Sequence, residues 1–563
     1  MNRQFHWMGI ALVFAACSSG GSGSPDSGAT GSGGAVSGSG GSSPSGSGGS
    51  SPTGSGGSSP TGSGGAVMGT GGAGGPDASG SGGMMGTGGA VMPGTGQSVT
   101  QRGGDAAKTG HFIRPMLTKA KAATMATDAA FNATYAGSIT GTPLYLENGP
   151  GGKGAFYVAT NSNNIYGFDE TTGAQIWMKN AGGTGQGGCD NQGKGALSAP
   201  AIDPATRLLL VAAANAGMQF KVHAYDVDTG AEKTTGGWPV NLNAAVGNAD
   251  LARTNQRGAL LMVNGTLYVP FGGQVGDCQG ARGRVVAVNV ADPTKIGAWS
   301  TSDDGSAIWA PGGLASDGTG IFGITGNHFP NNTAPGTHAD SEEVFRLTGL
   351  AQLARSNANI FFPGRWAAMD NGDLDFGACS PLVMDLPGAT PAKLVAAPSK
   401  DGHIYFLDPT NLGGMGGEKF DLNMANEGMS LLKTTPASYV TSMGSYVVVS
   451  TQGARGCPAG GANGTVMMGV RVTSTAGAVK ATVAWCSGVS GDTSAVATTT
   501  DGKTDAVVWY VSGGVLKGVD GDTGAMVFSG GACSVQRWTS PIVAKGARIV
   551  AGGNGKLCSW SAM

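Results

Sequence analysis

The chain has 563 residues, of which 105 are glycine and only 12% are charged, and its formal net charge is −2. Positive and negative residues nearly balance, and no run of lysine and arginine occurs, so we expect no nucleic-acid partner. The length is enough for two or three ordinary domains or for one large repeat fold, and internal repeats decide between them.

The N-terminus has the features of an export signal. Residues 1–16 contain one cation, Arg3, and then an apolar run from 5 to 16 that is too short to cross a bilayer as a helix. The small residues before Cys17 resemble a bacterial lipobox, in which the cysteine is acylated, and Ser18 resembles the sorting signal for the outer membrane. A plain secretory signal cut near Ala16 is the alternative. The lipobox interpretation predicts a lipid anchor in the bacterial cell envelope, on the periplasmic or the surface side of the outer membrane.

Residues 17–100 have the composition of a flexible tether. The heptapeptide GSGGSSP recurs at 38–44, 46–52 and 54–60, and the first 100 residues hold 33 glycines but only three charges. Such a chain cannot bury a core, and Gly-rich coils of this length have a typical span of about 50 Å. The sequence therefore predicts a disordered Gly/Ser-rich segment that holds the folded part away from the membrane.

Two short signatures repeat from residue 101 onward. The first is a strand, an Asp-led turn closed by Thr-Gly, and a second strand, as in "NIYGFDETTGAQIW" at 164–177. The second is a small residue followed by proline and apolar residues, as in "CSPLV" at 379–383, and it precedes the first by a few tens of residues. Further copies of the first lie at 221–233, 284–299, 403–414 and 515–528, and of the second at 141, 198, 434 and 539. With weaker starts near Gly258, Trp309 and Thr493, the signatures define eight units.

Each unit has the pattern of a four-stranded antiparallel meander. Aspartate can bond its own backbone in the turn between the third and fourth strands, and glycine accepts the positive φ of a tight reversal. A lone sheet of this kind leaves two edges and one face uncovered, whereas eight sheets arranged radially bury their faces. The sequence therefore predicts an all-β fold, an eight-bladed β-propeller over residues 101–563.

These repeats resemble the pyrroloquinoline quinone (PQQ) type repeat of quinoprotein propellers. The stretch "QRGGDAAKTGHF" at 101–112, followed by "AFNATYAGSI" at 130–139, is similar to the beginning of that family's propeller, where an early strand completes the last blade. The last unit here ends after three strands. The resemblance implies that residues 132–139 supply the fourth strand and close the ring.

Seven cysteines follow Cys17, and an exported protein can form disulfides. Seven thiols with one left over allow 105 pairings, so blade topology has to choose between them. The loop between the second and third strands of a blade lies on the same face as the loop into the next blade. The expected pairs are Cys457 with Cys486, Cys533 with Cys558, and Cys189 with Cys278. Cys379 is then left as a buried, inert thiol.

One region resembles the cofactor site of quinoprotein alcohol dehydrogenases. In that family a tryptophan lies under the quinone, an asparagine in a Gly-Asn-x-x-Pro-x-Asn stretch ligates calcium, and an aspartate before an aromatic residue is the base. By this resemblance Trp309 lies under the quinone, Asn327 of "GNHFPNN" is a calcium ligand, and Asp375 of "DLDF" is the base and a second calcium ligand. Two features depart from the family: its calcium-binding glutamate is matched by Asn215, and its adjacent cysteine pair is absent.

Three hypotheses for function remain open, because one propeller scaffold serves many functions. The first is a binding or scaffold lipoprotein without a cofactor, similar to the propeller component of the outer-membrane β-barrel assembly machinery. The second is a PQQ- and calcium-dependent alcohol or polyol dehydrogenase, and the third is a surface protein that binds a polymer or glycan. The expected partners are the membrane, through the lipid anchor, and an envelope protein or polymer, and the expected state is a monomer.

Overall fold

The computed structural model describes residues 97–562 except 188–192, 248–250, 274–280, 329–337, 428–433, 463 and 492. In this part of the chain the strands form eight separate sheets, each of four or five strands. The prediction of an all-β, eight-bladed propeller is confirmed. No helix among the described residues is both long and apolar enough to cross a membrane.

Four elements precede the first blade: β1 (His111–Ile113), α1 (Lys119–Ala122), β2 (Met125–Thr127) and β3 (Thr134–Ser138). Blade 1 consists of β4 (Leu144–Leu146), β5 (Ala155–Ala159), β6 (Asn164–Asp169) and β7 (Gln175–Asn180). Blade 2 consists of β8 (Ala201–Asp203), β9 (Leu208–Asn215), β10 (Gln219–Asp226) and β11 (Val240–Asn241), and α2 (Leu242–Ala245) follows it. Blade 3 consists of β12 (Thr254–Asn255), β13 (Leu261–Val263), β14 (Thr266–Gly273), β15 (Arg284–Asn289) and β16 (Ile296–Ser300). Blade 4 consists of β17 (Ala315–Ser316), β18 (Ile321–Ile324), β19 (Val344–Leu347) and β20 (Ile360–Phe362), and α3 (Trp366–Asn371) follows it.

The second half of the ring continues the pattern. Blade 5 consists of β21 (Leu382–Asp385), β22 (Lys393–Pro398), β23 (His403–Leu407) and β25 (Phe420–Asn423), with β24 (Gly414–Met415) inserted before its last strand. Blade 6 consists of β26 (Ala437–Thr441), β27 (Gly444–Thr451), β28 (Val466–Thr475) and β29 (Ala478–Gly488). Blade 7 consists of β30 (Val496–Thr499), β31 (Val507–Ser512), β32 (Val515–Asp520) and β33 (Met526–Ala532). Blade 8 contains β34 (Ile542–Ala544), β35 (Arg548–Gly552) and β36 (Asn554–Ala562).

Blades 3, 4 and 7 depart from a simple four-stranded antiparallel meander. In blade 7, β1 from the N-terminal part pairs in parallel with the first strand, β30. In blade 3 the first strand is split, since β12 and β13 both pair with β14. In blade 4 the outer edge strand β20 gains a parallel neighbour, because β24 from blade 5 pairs with it instead of with its own sheet.

The repeated Asp-x-x-Thr-Gly turn joins the third and fourth strands, as the sequence predicts. In blade 1, Oδ1 of Asp169 accepts hydrogen bonds from the backbone N–H and the hydroxyl of Thr172, both at 2.8 Å. The tryptophan that ends this motif reaches the next blade: Trp177 Nε1 donates to the carbonyl of Val227 at 3.0 Å. A Cβ on Gly230, in the turn of blade 2, would lie 2.7 Å from the Trp177 ring. The signature therefore encodes both a tight turn and the packing of one blade on the next.

The ring is closed by its N-terminal strands. Strand β36 pairs with β3, where Thr134 lies opposite Lys556, and also with β2, where Met125 lies opposite Ala562. The predicted closing residues, 132–139, contain β3, so this prediction is confirmed. The structure adds β2, which the sequence does not indicate. Pairing on β36 covers the edge that the three-stranded last unit would otherwise expose.

Residues 97–114 lie inside the ring, and we call them the axial segment. This segment bonds in turn to the first strand of every blade, from Val99 with Tyr145 in blade 1 to Arg114 with Ala544 in blade 8. The intermediate partners are Ile202, Met262, Ser316, Val383, Ser438 and Ala497. Residues 97–100, which the sequence places in the tether, thus bond to the ring.

Two of the expected disulfides are present, Cys457–Cys486 and Cys533–Cys558. Cys379 is buried and belongs to neither, as predicted. Cys189 and Cys278 lie outside the described residues, as does Cys17.

Candidate functional site

Three loops on one face of the ring bring the predicted site residues together. Trp309 lies in the loop before β17, Asn327 follows β18, and Asp375 precedes β21. Oδ1 of Asp375 lies 3.4 Å from the indole Nε1 of Trp309 and accepts a hydrogen bond of 3.1 Å from the Asn327 backbone. The structure therefore brings all three residues into contact. Their roles as quinone floor, calcium ligands and base stay predictions.

Lys400, which the sequence analysis missed, donates a hydrogen bond to the second carboxylate oxygen of Asp375. Lys400 Nζ lies 3.2 Å from Asp375 Oδ2 and 3.0 Å from Asp373 Oδ1. Burial alone would raise the pKa of Asp375, but the Lys400 ammonium and the Asn327 N–H bring it below its usual value. The pKa of Lys400 is raised because both carboxylates outweigh its burial. This carboxylate is therefore held in the ionised form.

A second buried carboxyl group, that of Glu342, lies near enough to Asp375 to interact with it electrostatically. Glu342 is fully buried, and its Oε2 accepts a hydrogen bond of 2.5 Å from the Phe376 backbone. Burial, together with the neighbouring Asp375 carboxylate, raises the pKa of Glu342 well above its usual value. The surroundings of Glu342 therefore favour its protonated form, whereas those of Asp375 favour the ionised form. Such opposite shifts of neighbouring acids recur at functional sites, although structural ion pairs produce them as well.

An arginine lies beside the ring of Trp309. The Arg257 guanidinium lies 5.1 Å from the centroid of Trp309 and 5.2 Å from that of Trp538, and its Nε donates to the Trp309 carbonyl at 3.0 Å. Arg537 stacks on Trp538 at 4.3 Å. Two tryptophans and two arginines thus form a cation–π cluster at this end of the ring.

The sequence carried weak signals for two of the missed residues. Lys400 stands in "SKDGHIYFLD", between the second and third strands of blade 5, and such loops lie on the same face as Asp375. Trp538 stands just before the small-residue–proline signature of blade 8. Glu342 and Arg257 have no comparable sequence pattern, since only the assembled ring brings them to Asp375 and Trp309.

The donor set fits a calcium-bound quinone poorly. Calcium prefers several anionic oxygens, but both oxygens of Asp375 already accept hydrogen bonds, one of them from the Lys400 cation. Asn215 is engaged within its own part of the ring, since its Nδ2 donates to Ala181 O at 2.5 Å and its Oδ1 lies 3.3 Å from His223 Nε2. No group of three acidic, histidine or cysteine side chains placed to hold a metal occurs in the described ranges. Residues 329–332 of the predicted ligand stretch lie outside them.

Comparison with known proteins gives the fold. No protein-family model and no curated protein matches the sequence. Among solved structures, the chain is similar to the quinohemoprotein alcohol dehydrogenase ADHIIG from Pseudomonas putida HK5, with 13% identity, a TM-score of 0.59, and coverage of 83% of this chain and 80% of that one. A europium-containing methanol dehydrogenase gives 14% identity, a TM-score of 0.58, and coverage of 83% and 98%. The quinohemoprotein alcohol dehydrogenase from Comamonas testosteroni gives 15% identity, a TM-score of 0.54, and coverage of 82% and 80%. The chain therefore folds as a quinoprotein-like eight-bladed propeller, as its repeats predict.

Proposed function

We propose that this quinoprotein-like propeller is an exported, lipid-anchored binding or scaffold module whose quinoprotein-like site is degenerate. One observation carries the proposal: Asp375, the candidate base, is saturated by protein partners. Its two oxygens accept from the Lys400 ammonium, the Trp309 indole and the Asn327 backbone. A general base has to accept a proton, and an ion pair with a lowered pKa opposes this.

The charge balance supports the same conclusion. A calcium ion beside Asp375 would face the Lys400 ammonium, which lies 3.2 Å from the carboxylate it would share. The neutral Asn215 adds no charge, and the Arg257 guanidinium already lies 5.1 Å from the centroid of the Trp309 ring. We therefore derive no step of a reaction through a quinone.

The cation–π cluster is the surface that suits a partner. Tryptophan and arginine are enriched among the residues that dominate binding energy at interfaces. Gln97, near the end of the predicted tether (17–100), bonds to Glu147 and Gly546 in turns that join first and second strands. In an antiparallel meander these turns lie on the face opposite to Asn327, which lies between a second and a third strand. Gln97 thus lies on the face opposite to the candidate site, and we propose that the cation–π cluster receives an envelope protein or polymer.

The cofactor question is tested by anaerobic titration of the full chain with PQQ and calcium chloride, followed by absorption spectra and a dye-reduction screen. We expect little binding by the parent protein and improved calcium-dependent binding by Asn215→Glu. Asn180→Glu is the matched control, because it adds the same charge at an exposed position of blade 1. Tight, stoichiometric PQQ uptake by the unmodified chain, lost in Asp375→Asn or Asn327→Ala, would instead establish the dehydrogenase.

The binding surface is tested by site-specific photo-crosslinking in intact cells. A photoreactive residue in place of exposed Arg537 should trap an envelope component, whereas one in place of exposed Lys153, on the opposite face, should not. Identical adducts from both positions would mean that the cation–π cluster is not the docking surface.

A further inference from the structure

A cavity of about 270 Å³ lies inside the ring, between the axial segment and the first strands of blades 3 to 6. Its wall includes residues in or next to the turns that join the first strand of those blades to the second, such as Asn264, Asp317 and Asp385. These turns lie on the face that carries Gln97, opposite to Asp375. The cavity is therefore separate from the candidate functional site.

More of the cavity wall is apolar than polar. The wall includes four residues with aliphatic or thioether side chains, from blades 3, 5 and 6: Met262, Val263, Val383 and Val440. Tyr439 also lines it, but its hydroxyl already donates to the carbonyl of Gly521 at 2.6 Å. Such a wall favours a ligand with an apolar body, because the apolar surfaces of both leave water when the ligand binds.

The ionisable groups of the cavity wall are mostly acidic. Asp105, Asp317 and Asp385 line the cavity together with one lysine, Lys393, whose Nζ lies 3.9 Å from Asp385 Oδ1. His111 also lines it, and burial lowers the pKa of His111 to about 4, so its imidazole is neutral at neutral pH. The wall therefore has more carboxyl groups than cations.

Asp105, on the axial segment, is bonded to neutral groups. Its oxygens accept hydrogen bonds from the backbone N–H of Thr109, at 3.0 Å, and from the Thr109 hydroxyl. Burial raises the pKa of Asp105. Lys108 opposes this from a distance, since its Nζ donates to the carbonyl of Leu260 at 3.3 Å, and no described cation lies within ion-pair distance of Asp105. A carboxylate has about four acceptor positions, so Asp105 can accept further hydrogen bonds from a donor in the cavity.

We propose that this cavity binds a small organic ammonium ion, with its apolar body against the aliphatic wall and its ammonium group bonded to Asp105. An ammonium group supplies both a positive charge and hydrogen-bond donors, and charge-assisted bonds of this kind are stronger than neutral ones. The volume lies just below the range of about 300–1,000 Å³ that is usual for sites of drug-sized ligands, so the ligand is smaller than these. This site is independent of the proposed function, because the two lie on opposite faces of the ring.

Isothermal titration calorimetry of the full chain with three probes of similar shape tests the ligand class. Phenethylammonium chloride supplies a cation, 2-phenylethanol is neutral, and sodium phenylacetate supplies an anion. We expect phenethylammonium to bind about tenfold more tightly than 2-phenylethanol, because hydrogen bonds to charged groups contribute more than neutral ones. Phenylacetate should not bind. Equal affinity for the cation and the alcohol, or no binding of the cation, would contradict the proposal.

Three variants locate the site. Asp105→Asn removes the charge at nearly constant shape, so it should weaken the binding of phenethylammonium about tenfold and leave that of 2-phenylethanol unchanged. Val440→Phe narrows the cavity and should weaken the binding of both. Asp501→Asn is the matched control, because Asp501 is an exposed acid in the corresponding turn of blade 7, outside the cavity wall, and its loss should change neither affinity.

The Val440→Phe variant keeps the test decisive if Asp105→Asn does not fold, since it leaves the axial segment unchanged. Phenethylammonium binding that is as tight in Val440→Phe as in the parent would overturn the proposal, and so would equal binding by Asp105→Asn and Asp501→Asn.

Discussion

Tyr135 lies at the seam where the first and last blades meet, and its replacement tests how the ring is closed. The side chain is buried on β3, and its hydroxyl donates a hydrogen bond of 2.5 Å to the carbonyl of Gly553 in blade 8. The centroid of its ring lies 6.1 Å from that of Tyr166 and 6.4 Å from that of Phe168, both in blade 1. Tyr135→Ala should lower the free energy of unfolding by about 3–5 kcal/mol, because a large aromatic contact is lost and a cavity remains. Tyr135→Phe keeps the ring and loses the hydroxyl, so about 1 kcal/mol is expected.

Urea unfolding followed by tryptophan fluorescence measures these differences. Thr134→Ala is the matched control, since Thr134 is the exposed neighbour on the same strand and should change the stability by less than about 0.5 kcal/mol. Deletion of residues 101–140 should expose the edge of β36 and cause aggregation. If Tyr135→Ala unfolds like Thr134→Ala, or the deleted chain stays soluble with unchanged unfolding, residues 125–138 do not close the ring.

Three further predictions concern other parts of the chain. Replacement of Cys457 and Cys486 by serine should lower the free energy of unfolding by about 3 kcal/mol, because their disulfide closes a loop with a sequence separation of 29. Addition of reductant should then lower the stability of the variant less than that of the parent. Burial lowers the pKa of His338 to about 4. Protonation of His338 therefore favours the unfolded chain, and the free energy of unfolding should fall by up to about 3 kcal/mol as the pH falls from 6.5 toward 4. The pH dependence of unfolding in His338→Gln should be flatter over that range, and an unchanged profile would contradict this. Cys17→Ser should release the protein from washed membranes, whereas retention there would exclude the lipid anchor.

The sequence carried most of the information about the blades themselves. The turn at Asp169 and the glycine at its end act within a few residues of each other, so their chemistry can be recognised without the fold. The two described disulfides followed from which loops share a face of a blade, so they and the turns depend on local pattern or on the repeat alone. The closing strand followed from the resemblance to the quinoprotein repeat family, in which an early strand completes the last blade.

The sequence identified only some of the residues of the candidate site. Trp309, Asn327 and Asp375 were found through their resemblance to family motifs, and they do converge. Lys400, which holds Asp375 in the ionised form, and Glu342, whose pKa the Asp375 carboxylate helps to raise, were missed. They come from different loops, and their effect depends on distance and burial, which no linear motif reports.

By itself, the sequence determined the number of blades and their turns, because these are set by strand periodicity and by neighbouring residues. Only the tertiary structure placed residues 97–114 inside the ring, bonded to the first strand of all eight blades. Those partners extend from Tyr145 to Ala544 along the chain, and they surround one axis only after the ring has closed. The saturation of Asp375 also depends on the tertiary structure, since Trp309, Asn327 and Lys400 lie in separate loops that the packing of adjacent blades brings within hydrogen-bond distance.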